Sequence, residues 1–491
     1  MRPAFLFSLL FLASCNNVPE GDLTVAFIDA ESDEPLLQDG LRLSASAQRV
    51  RAATSQGLVR FDANGMIVPA LAERWIVTDD GASYIFRLRD TTWPDGEPVT
   101  ADDVRQSLMT AMAQLEGTTL GLDLADIDDI RAMTGRVVEI RLKSAMPQFL
   151  QLLAQSELGV VRGRGGDAVD LGPMRAGAAE GNHLRLAPLP PQDRGLPMQG
   201  DWAELTRDVV VRKLDPERAA AAFSEGQLDL VTGGRLSGLP YVDVGPLARG
   251  TVRLDPAVGL FGLDVLTNTG FLAEASNREG IASIIDRDTL LESFSVGGWV
   301  PTTRIVPPNL PGFADAGAER WDADELEERR VRVSQQVAIW ASQTDSAPTL
   351  SIYLPPGPGS DRLFARLVQD LTQVGIALER TENAKEADLR LRDRLARYLQ
   401  PRWFLNQFNC DIVPKQCNPQ ADALIAQSIT TVRGSERAAL LRQAEEALLA
   451  DNTFIPLGAP VRWSLVRANL AGFAENPLGV HPLFPLSGAP M

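Results

Sequence analysis

Few residues in this sequence have the types and spacing that catalysis requires. Histidine occurs only at His183 and His481, which is too few for a histidine-based metal site or a histidine cluster. There is no Gly-x-Ser-x-Gly motif and no phosphate-binding loop, and Gly163-Arg-Gly-Gly166 lacks the strand and helix of a dinucleotide loop. We therefore expect a protein that is not an enzyme and holds no cofactor or metal. A hydrolase is the enzymatic alternative.

Two of the three cysteines could react with each other. Six residues separate Cys410 from Cys417. In an oxidising compartment this pair could close a small loop as a disulfide, and two free thiols are the alternative.

The third cysteine, Cys15, follows a segment that is typical of an export signal. Arg2 precedes an apolar run over residues 4–13, which is too short to span a bilayer. The tetrad Leu12-Ala13-Ser14-Cys15 resembles the bacterial lipobox, in which the cysteine is acylated. We expect a signal peptide over residues 1–14, a lipid-anchored tether over residues 15–22, and a periplasmic lipoprotein held at the inner or the outer membrane. The alternative is an ordinary secretory signal with an unrelated cysteine.

Length and composition predict a soluble protein with more than one domain. The chain has 491 residues, of which 45% are hydrophobic and 23% charged. Its formal net charge of −17 disfavours nucleic acid as a partner, because such a surface repels phosphate backbones.

The order of the predicted elements favours an α/β fold. Residues 209–212 are expected to form a strand, residues 215–223 a helix and residues 228–231 another strand. Such alternation is typical of sheets with parallel pairing. Earlier in the chain, Asn64-Gly65 predicts a hairpin turn and Thr100 predicts a helix N-cap.

The segment from Gly57 to Ser107 resembles a known family. Many positions fall in one fixed order, and further matches lie at residues 277–287 and 418–457. The pattern is similar to that of the solute-binding proteins of peptide, nickel and opine ABC transporters, known as family 5. The matching positions are Gly57-Leu58, residues 69–72, Trp75, residues 79–81, residues 84–86, Leu88-Arg89, Trp93, Asp95-Gly96, Pro98, residues 100–104 and Ser107.

The resemblance implies a two-lobed periplasmic binding protein fold. Two α/β lobes are joined by two crossover segments, a small β-rich subdomain packs on the first lobe, and the ligand lies between the lobes. Mapped onto this sequence, the first lobe takes residues 22–55, 181–255 and 455–491, the subdomain takes residues 56–180, and the second lobe takes residues 256–454.

The resemblance also implies a function. The expected role is the extracytoplasmic component of an ABC importer, which binds a peptide or peptide-like ligand and delivers it to permease subunits with an associated ATPase. A monomer is expected. The alternative is a degenerate binding protein that acts as a sensor or a tether without transport.

One departure from the family bears on the ligand. Peptide binders carry a pattern like Ala-Asp-Tyr-Pro-Asp-Pro, whose first aspartate holds the ligand's amino terminus, but here Arg397 follows Ala396 and precedes Tyr398. Arginine repels an ammonium group. One hypothesis is that Arg397 clamps a carboxylate or phosphate of an acidic ligand. The other is that Arg397 faces solvent or an internal acid, with the ligand anchored elsewhere.

Four further residues are candidates for the ligand cleft. Trp299 follows two glycines in a predicted loop, and Tyr398 and Trp403 flank the altered motif. Met174 stands where the family has an aromatic residue after a Gly-Pro turn, so the cleft could be wider there. Tryptophan is also a common core residue, and that alternative stays open for Trp299 and Trp403.

Overall fold

The computed structural model describes residues 21–29, 34–163, 169–179, 182–242, 250–310, 312–314 and 319–488. The predicted signal peptide, Cys15 and nearly all of the predicted tether lie outside these residues. So does most of the loop that begins at Gly163.

The strands of the described residues are numbered in chain order. They are β1 Leu23–Ile28, β2 Val59–Phe61, β3 Ile67–Pro69, β4 Ala72–Val77, β5 Ser83–Leu88, β6 Ile127–Met133, β7 Val137–Leu142, β8 Val161–Arg162, β9 Val169–Asp170, β10 Met174–Ala176, β11 His183–Pro188, β12 Val209–Leu214, β13 Leu230–Arg235, β14 Val252–Leu254, β15 Gly259–Val265, β16 Thr349–Tyr353, β17 Ala377–Arg380, β18 Leu389–Leu395, β19 Phe454–Gly458 and β20 Arg462–Val466.

The α-helices are numbered in the same way. They are α1 Ala45–Thr54, α2 Ala101–Gln114, α3 Thr119–Leu124, α4 Phe149–Leu153, α5 Trp202–Leu205, α6 Pro216–Ser224, α7 Ala275–Ile284, α8 Leu326–Thr344, α9 Pro358–Thr372, α10 Pro401–Asn406, α11 Pro419–Thr430, α12 Gly434–Asp451 and α13 Leu483–Leu486. None of these helices combines the length and the apolar composition that a bilayer crossing requires.

The structure contains the helix start and the turn that local residues of the sequence predicted. Thr100 is the N-cap of α2, and its side chain and that of Asp103 form a reciprocal capping box. Gly65 adopts a φ of +71° in the turn between β2 and β3, a conformation that glycine accepts without a steric cost.

Two large sheets form the two lobes, and the predicted α/β class is confirmed. The first sheet has seven strands in the order β10-β11-β12-β1-β13-β20-β14. The second has five strands in the order β17-β16-β18-β15-β19. In the first sheet β1 pairs in parallel with both β12 and β13, as expected when helices connect the strands.

The chain crosses between the two sheets twice. It leaves the first sheet after β14 and enters the second with β15, across residues 255–258. It returns between β19 and β20, across residues 459–461. Short crossovers of this kind can act as hinges, because a few residues absorb the change in backbone angles while the lobes stay rigid.

The strands place two lobe boundaries differently from the sequence prediction. We expected residues 455–491 in the first lobe, but β19 pairs with β15 in the second sheet, and the first lobe resumes only with β20. We expected residues 56–180 in the subdomain, but β10 pairs with β11 at the edge of the first sheet. Both differences arise because strand partners lie far away in sequence, where local pattern carries no information about pairing.

The small subdomain contains a four-stranded antiparallel sheet, in the order β4-β5-β7-β6. Its hydrophobic core is continuous with side chains of the second lobe, among them Ile305, Phe313, Phe404 and Leu448. The resemblance implied packing on the first lobe. In the structure the subdomain shares its main core with the second lobe.

A buried polar network crosses the same interface. Arg402 of α10 lies between two carboxylates of the subdomain, with its Nη1 2.6 Å from Asp126 Oδ2 and its Nη2 3.7 Å from Asp123 Oδ1. Asp123 also accepts hydrogen bonds from Asn406 and from the hydroxyl of Tyr398. Desolvation of these groups would be costly without such pairing, so the network ties the two units together.

The network predicts a pH dependence of stability. Burial, opposed by Arg402, raises the pKa of Asp123 to about 7. An unfolded aspartate releases its proton near pH 4, at about 3.9. Between these two pKa values the folded chain therefore binds more protons than the unfolded chain. The contribution of Asp123 to the free energy of unfolding falls as the pH rises from about 4 to 7. We expect Asp123→Asn to flatten that slope in urea unfolding.

A matched control for this measurement is Asp90→Asn. The side chain of Asp90 is 90% exposed. An Asp123→Asn protein whose stability still follows the wild-type pH profile would contradict the assignment of this slope to Asp123.

Candidate functional site

A large cleft is lined by residues of both lobes and of the subdomain. It has a volume of about 1820 Å³, including the part that opens to solvent. The first lobe lines it with Arg49, Arg235 and Arg462, the subdomain with residues 57, 59–61 and 154–156, and the second lobe with residues 393–397. Clefts between domains are where ligand sites most often form.

The charge of the cleft is opposite to that of the whole chain. Its lining contains one acidic residue, Asp393, among the described residues. It contains six arginines: Arg49, Arg60, Arg235, Arg394, Arg397 and Arg462. In a chain with a formal net charge of −17, this distribution concentrates positive potential in one concave place.

Two of the arginines are neutralised by buried acids. Arg462 Nη1 lies 2.7 Å from Asp393 Oδ1. Arg397 Nη2 lies 2.5 Å from Glu157 Oε2, and its Nε donates to Gln155 Oε1 at 2.8 Å. Burial would raise the pKa of Glu157, but the charge and hydrogen bond of Arg397 outweigh it, so that the pKa lies below its usual value. Glu157 is thus a carboxylate at neutral pH.

The pairing with Glu157 bears on both hypotheses for Arg397. The residue lines the cleft, as expected of a ligand contact, but an internal acid already occupies its guanidinium. A second anion would have to compete with a buried partner. This arrangement favours the hypothesis that the ligand is anchored elsewhere.

Arg49 and Arg394 have neutral partners. The guanidinium of Arg49 lies 5.3 Å from the centroid of the Phe27 ring, a cation–π contact. Arg394 Nη1 donates to the amide oxygen of Gln407 at 2.7 Å. Neither guanidinium forms an ion pair with a carboxylate of the described residues. Sequence analysis missed both residues, although the alternating arginines of β18 are a signal that could have drawn attention to Arg394.

The other predicted contacts occupy different places. Trp403 lines the cleft, while 2% of its surface is exposed. Tyr398 is fully buried, with its hydroxyl directed to Asp123. Met174 is buried in the first lobe beside Pro173, which does line the cleft. Trp299 borders a separate depression and donates from Nε1 to the carbonyl of Ala459, in the second crossover.

The lobes also meet along one edge outside the cleft. The N-terminus of α9, in the second lobe, packs on the short 3-10 helix Leu236–Tyr241 of the first lobe. A Cβ atom added to Gly359 would lie 1.9 Å from the carbonyl oxygen of Leu236. The two backbones can approach this closely only because residue 359 has no side chain.

The two distal cysteines lie on the surface of the second lobe. Cys410 and Cys417 are joined by a disulfide, with their Cα atoms 4.9 Å apart. Within the described part of the chain, no group of three or more histidine, cysteine or acidic side chains could hold a metal ion.

Comparison with protein families identifies the class of the protein. The model for bacterial extracellular solute-binding proteins, family 5 Middle, matches residues 66–180 and 203–411. The chain belongs to this family. It is a family of binding proteins, so the predicted solute-binding role is confirmed, and the family's members act in the periplasm or outside the cell with ABC permease and ATPase components.

Individual relatives of the family are distant but match over most of their length. The chain is 21% identical to the oligopeptide-binding protein OppA of Bacillus subtilis, over 88% of this chain and 87% of that protein. It is 26% identical to a probable di/tripeptide-binding protein of Pseudomonas aeruginosa, over 86% and 87%.

Solved structures of the family share the fold. The Haemophilus influenzae OppA complex with RPPGFSPFR superposes with a TM-score of 0.78 at 17% identity, over 96% of this chain and 99% of that one. The Escherichia coli murein tripeptide-binding protein MppA gives a TM-score of 0.78 at 19% identity, over 94% and 98%. The predicted two-lobed fold is thereby confirmed.

Proposed function

We propose that this family member captures a peptide or peptide-like solute in the arginine-lined cleft and delivers it to an ABC permease. The observation that carries the proposal is the cleft itself, whose lining comes from both lobes and the subdomain. The relatives named above are an oligopeptide-binding protein, a probable di/tripeptide-binding protein and a murein tripeptide-binding protein. A solute that contacts both lobes stabilises the closed arrangement over the open one.

The proposal includes the way the protein is held in place. Cys15 is proposed to carry the lipid anchor after removal of residues 1–14, and acyl chains on one cysteine would hold the protein at a membrane. We propose that the anchored protein acts as a monomer. Mass spectrometry of the membrane-extracted protein would detect the acyl chains, and Cys15→Ser should release the protein into the soluble periplasmic fraction.

Thermal unfolding with a solute panel tests the proposed function. We expect at least one peptide from a panel of tripeptides to raise the melting temperature. A ligand that binds only the folded state at 100 times its Kd adds about 2.7 kcal/mol to the free energy of unfolding. The panel should contain Ala-Ala-Ala, Ala-Lys-Ala, Ala-Gln-Ala and Ala-Glu-Ala.

The outcome of this test also separates transport from the alternative of a sensor or tether. If no peptide raises the melting temperature and native mass spectrometry finds no solute bound to the protein purified from its host, the proposal of a solute carrier is contradicted. If a solute binds but deletion of the gene leaves its uptake unchanged, the sensor alternative is favoured.

A further inference from the structure

The lining of the cleft carries more positive than negative charge. Of the six lining arginines, Arg397 and Arg462 have carboxylate partners at 2.5 and 2.7 Å. Arg49 and Arg394 contact a ring and an amide oxygen instead. Arg49 is half-buried and Arg394 is exposed. A guanidinium that faces a cleft without a carboxylate partner is accessible to an anionic group of the solute.

The arginines also act on one another. Desolvation in the cleft, followed by the charges of neighbouring arginines, lowers the pKa of Arg394 to about 10. Desolvation lowers the pKa of Arg49 to about 10 as well, where Asp29 opposes the shift and Arg462 and Arg235 add to it. Arg235 contributes to both shifts. With pKa values of about 10, Arg49 and Arg394 stay protonated at neutral pH, and each is repelled by the charge of Arg235.

These three arginines come from opposite sides of the cleft. Arg49 lies on α1 and Arg235 ends β13, both in the first lobe, whereas Arg394 lies on β18 in the second lobe. Closing the lobes brings like charges together. An anion placed among them would turn that repulsion into attraction, and guanidinium groups bind carboxylate and phosphate oxygens in paired hydrogen bonds.

We propose that Arg49, Arg235 and Arg394 form an oxyanion site that binds a carboxylate or phosphate group of the solute and couples its binding to lobe closure. This inference rests on the proposed function and narrows its ligand to acidic solutes. In this proposal the anion binds these three arginines, and Arg397 keeps its ion pair with Glu157. Because the anion contacts both lobes only when they are closed, it supplies the differential affinity that closure needs.

Isothermal titration at low ionic strength with four probes tests the site. Ala-Glu-Ala and Ala-Gln-Ala differ in one carboxylate, and glucose 6-phosphate and glucose differ in one phosphate. We expect at least one acidic probe to bind the full-length protein, and its neutral counterpart to bind about tenfold more weakly or not at all. The carboxylate and phosphate pairs distinguish the two sources of the anion.

Single substitutions on either side of the cleft locate the site. Arg49→Gln and Arg394→Gln should each raise the Kd for the acidic probe about tenfold, as expected for loss of a charge-assisted hydrogen bond. Arg218→Gln in the first lobe and Arg433→Gln in the second are matched controls, because their side chains are 81% and 79% exposed. The controls should change the Kd less than about twofold, as is usual for exposed charges.

The stability of the empty protein gives a second readout. Removing one of several mutually repelling cations should leave the melting temperature of the unliganded variants unchanged or raise it, whereas a purely structural arginine would lower it. A lower melting temperature of both empty variants would overturn the inference.

The binding data separate this inference from the proposed function. If Ala-Gln-Ala binds as tightly as Ala-Glu-Ala, and Arg49→Gln and Arg394→Gln bind both like wild type, the oxyanion site is overturned while the proposed peptide carrier stands. If neither acidic probe binds, the site is also overturned, and the solutes identified by native mass spectrometry decide the proposed function on their own.

Discussion

Replacing Arg402 by alanine is expected to lower the free energy of unfolding by about 3–5 kcal/mol, the range for breaking a buried ion pair from one side. Arg402 is 3% exposed and contacts Asp126 and Asp123 across the boundary between the second lobe and the subdomain. Without it, two buried carboxylates would share one site with no cation. Urea unfolding monitored by tryptophan fluorescence measures the loss.

The pH dependence of the Arg402→Ala protein identifies the cause. Burial already raises the pKa of Asp123 and of Asp126, and loss of Arg402 would raise both further. The variant should therefore recover part of its stability at pH 5, where protonation removes the unpaired charges. Arg433→Ala, at a 79% exposed position, is the control. A defect of Arg402→Ala that is equal at pH 5 and pH 8 would argue for lost packing instead of unpaired charge.

Substituting Gly359 by alanine is expected to prevent the lobes from meeting as they do here. The added Cβ would lie 1.9 Å from the carbonyl oxygen of Leu236, where van der Waals contact requires about 3.5 Å. Packed backbone cannot deform to absorb this overlap, so the lobes must stay apart. We expect the affinity for Ala-Glu-Ala to fall on the order of 100-fold, or about 2.7 kcal/mol.

The control for Gly359→Ala is Gly434→Ala. Both glycines lie in the first turn of a helix, but a Cβ on Gly434 meets only the end of the Arg437 side chain at 3.9 Å. Small-angle X-ray scattering with Ala-Glu-Ala should show a larger radius of gyration for Gly359→Ala than for wild type and Gly434→Ala. Equal radii and equal affinities would show that this contact has no part in closure.

The shared core of the subdomain and the second lobe determines which units can move together during closure. Asp123 and Asp126 of the subdomain are joined to Arg402 of the second lobe, and the surrounding apolar side chains form one cluster. Breaking these contacts would be costly, whereas the cleft side of the first lobe is lined by repelling cations. We expect the first lobe to move against the other two units together.

The sequence by itself determined the class of the protein and its local structure. The fixed residues from Gly57 to Ser107 identified the family, and Thr100 and Asn64-Gly65 marked a helix start and a turn. Predicted strands such as residues 228–231 fell at or next to observed ones. These inferences succeeded because caps, turns and periodicity depend on residues that are neighbours along the chain.

Only the tertiary structure decided which charges meet. Arg397 was correctly identified as a departure from the family, but its partner Glu157 lies 240 positions away, and Arg402 and Asp126 are 276 positions apart. The convergence of Arg49, Arg235 and Arg394 on one cleft, and the place of β19 in the second sheet, depend equally on distant segments. The sequence alone does not show which arginine will pair with a carboxylate and which will line the cleft. The reason is that electrostatic energy depends on distance in space and on burial.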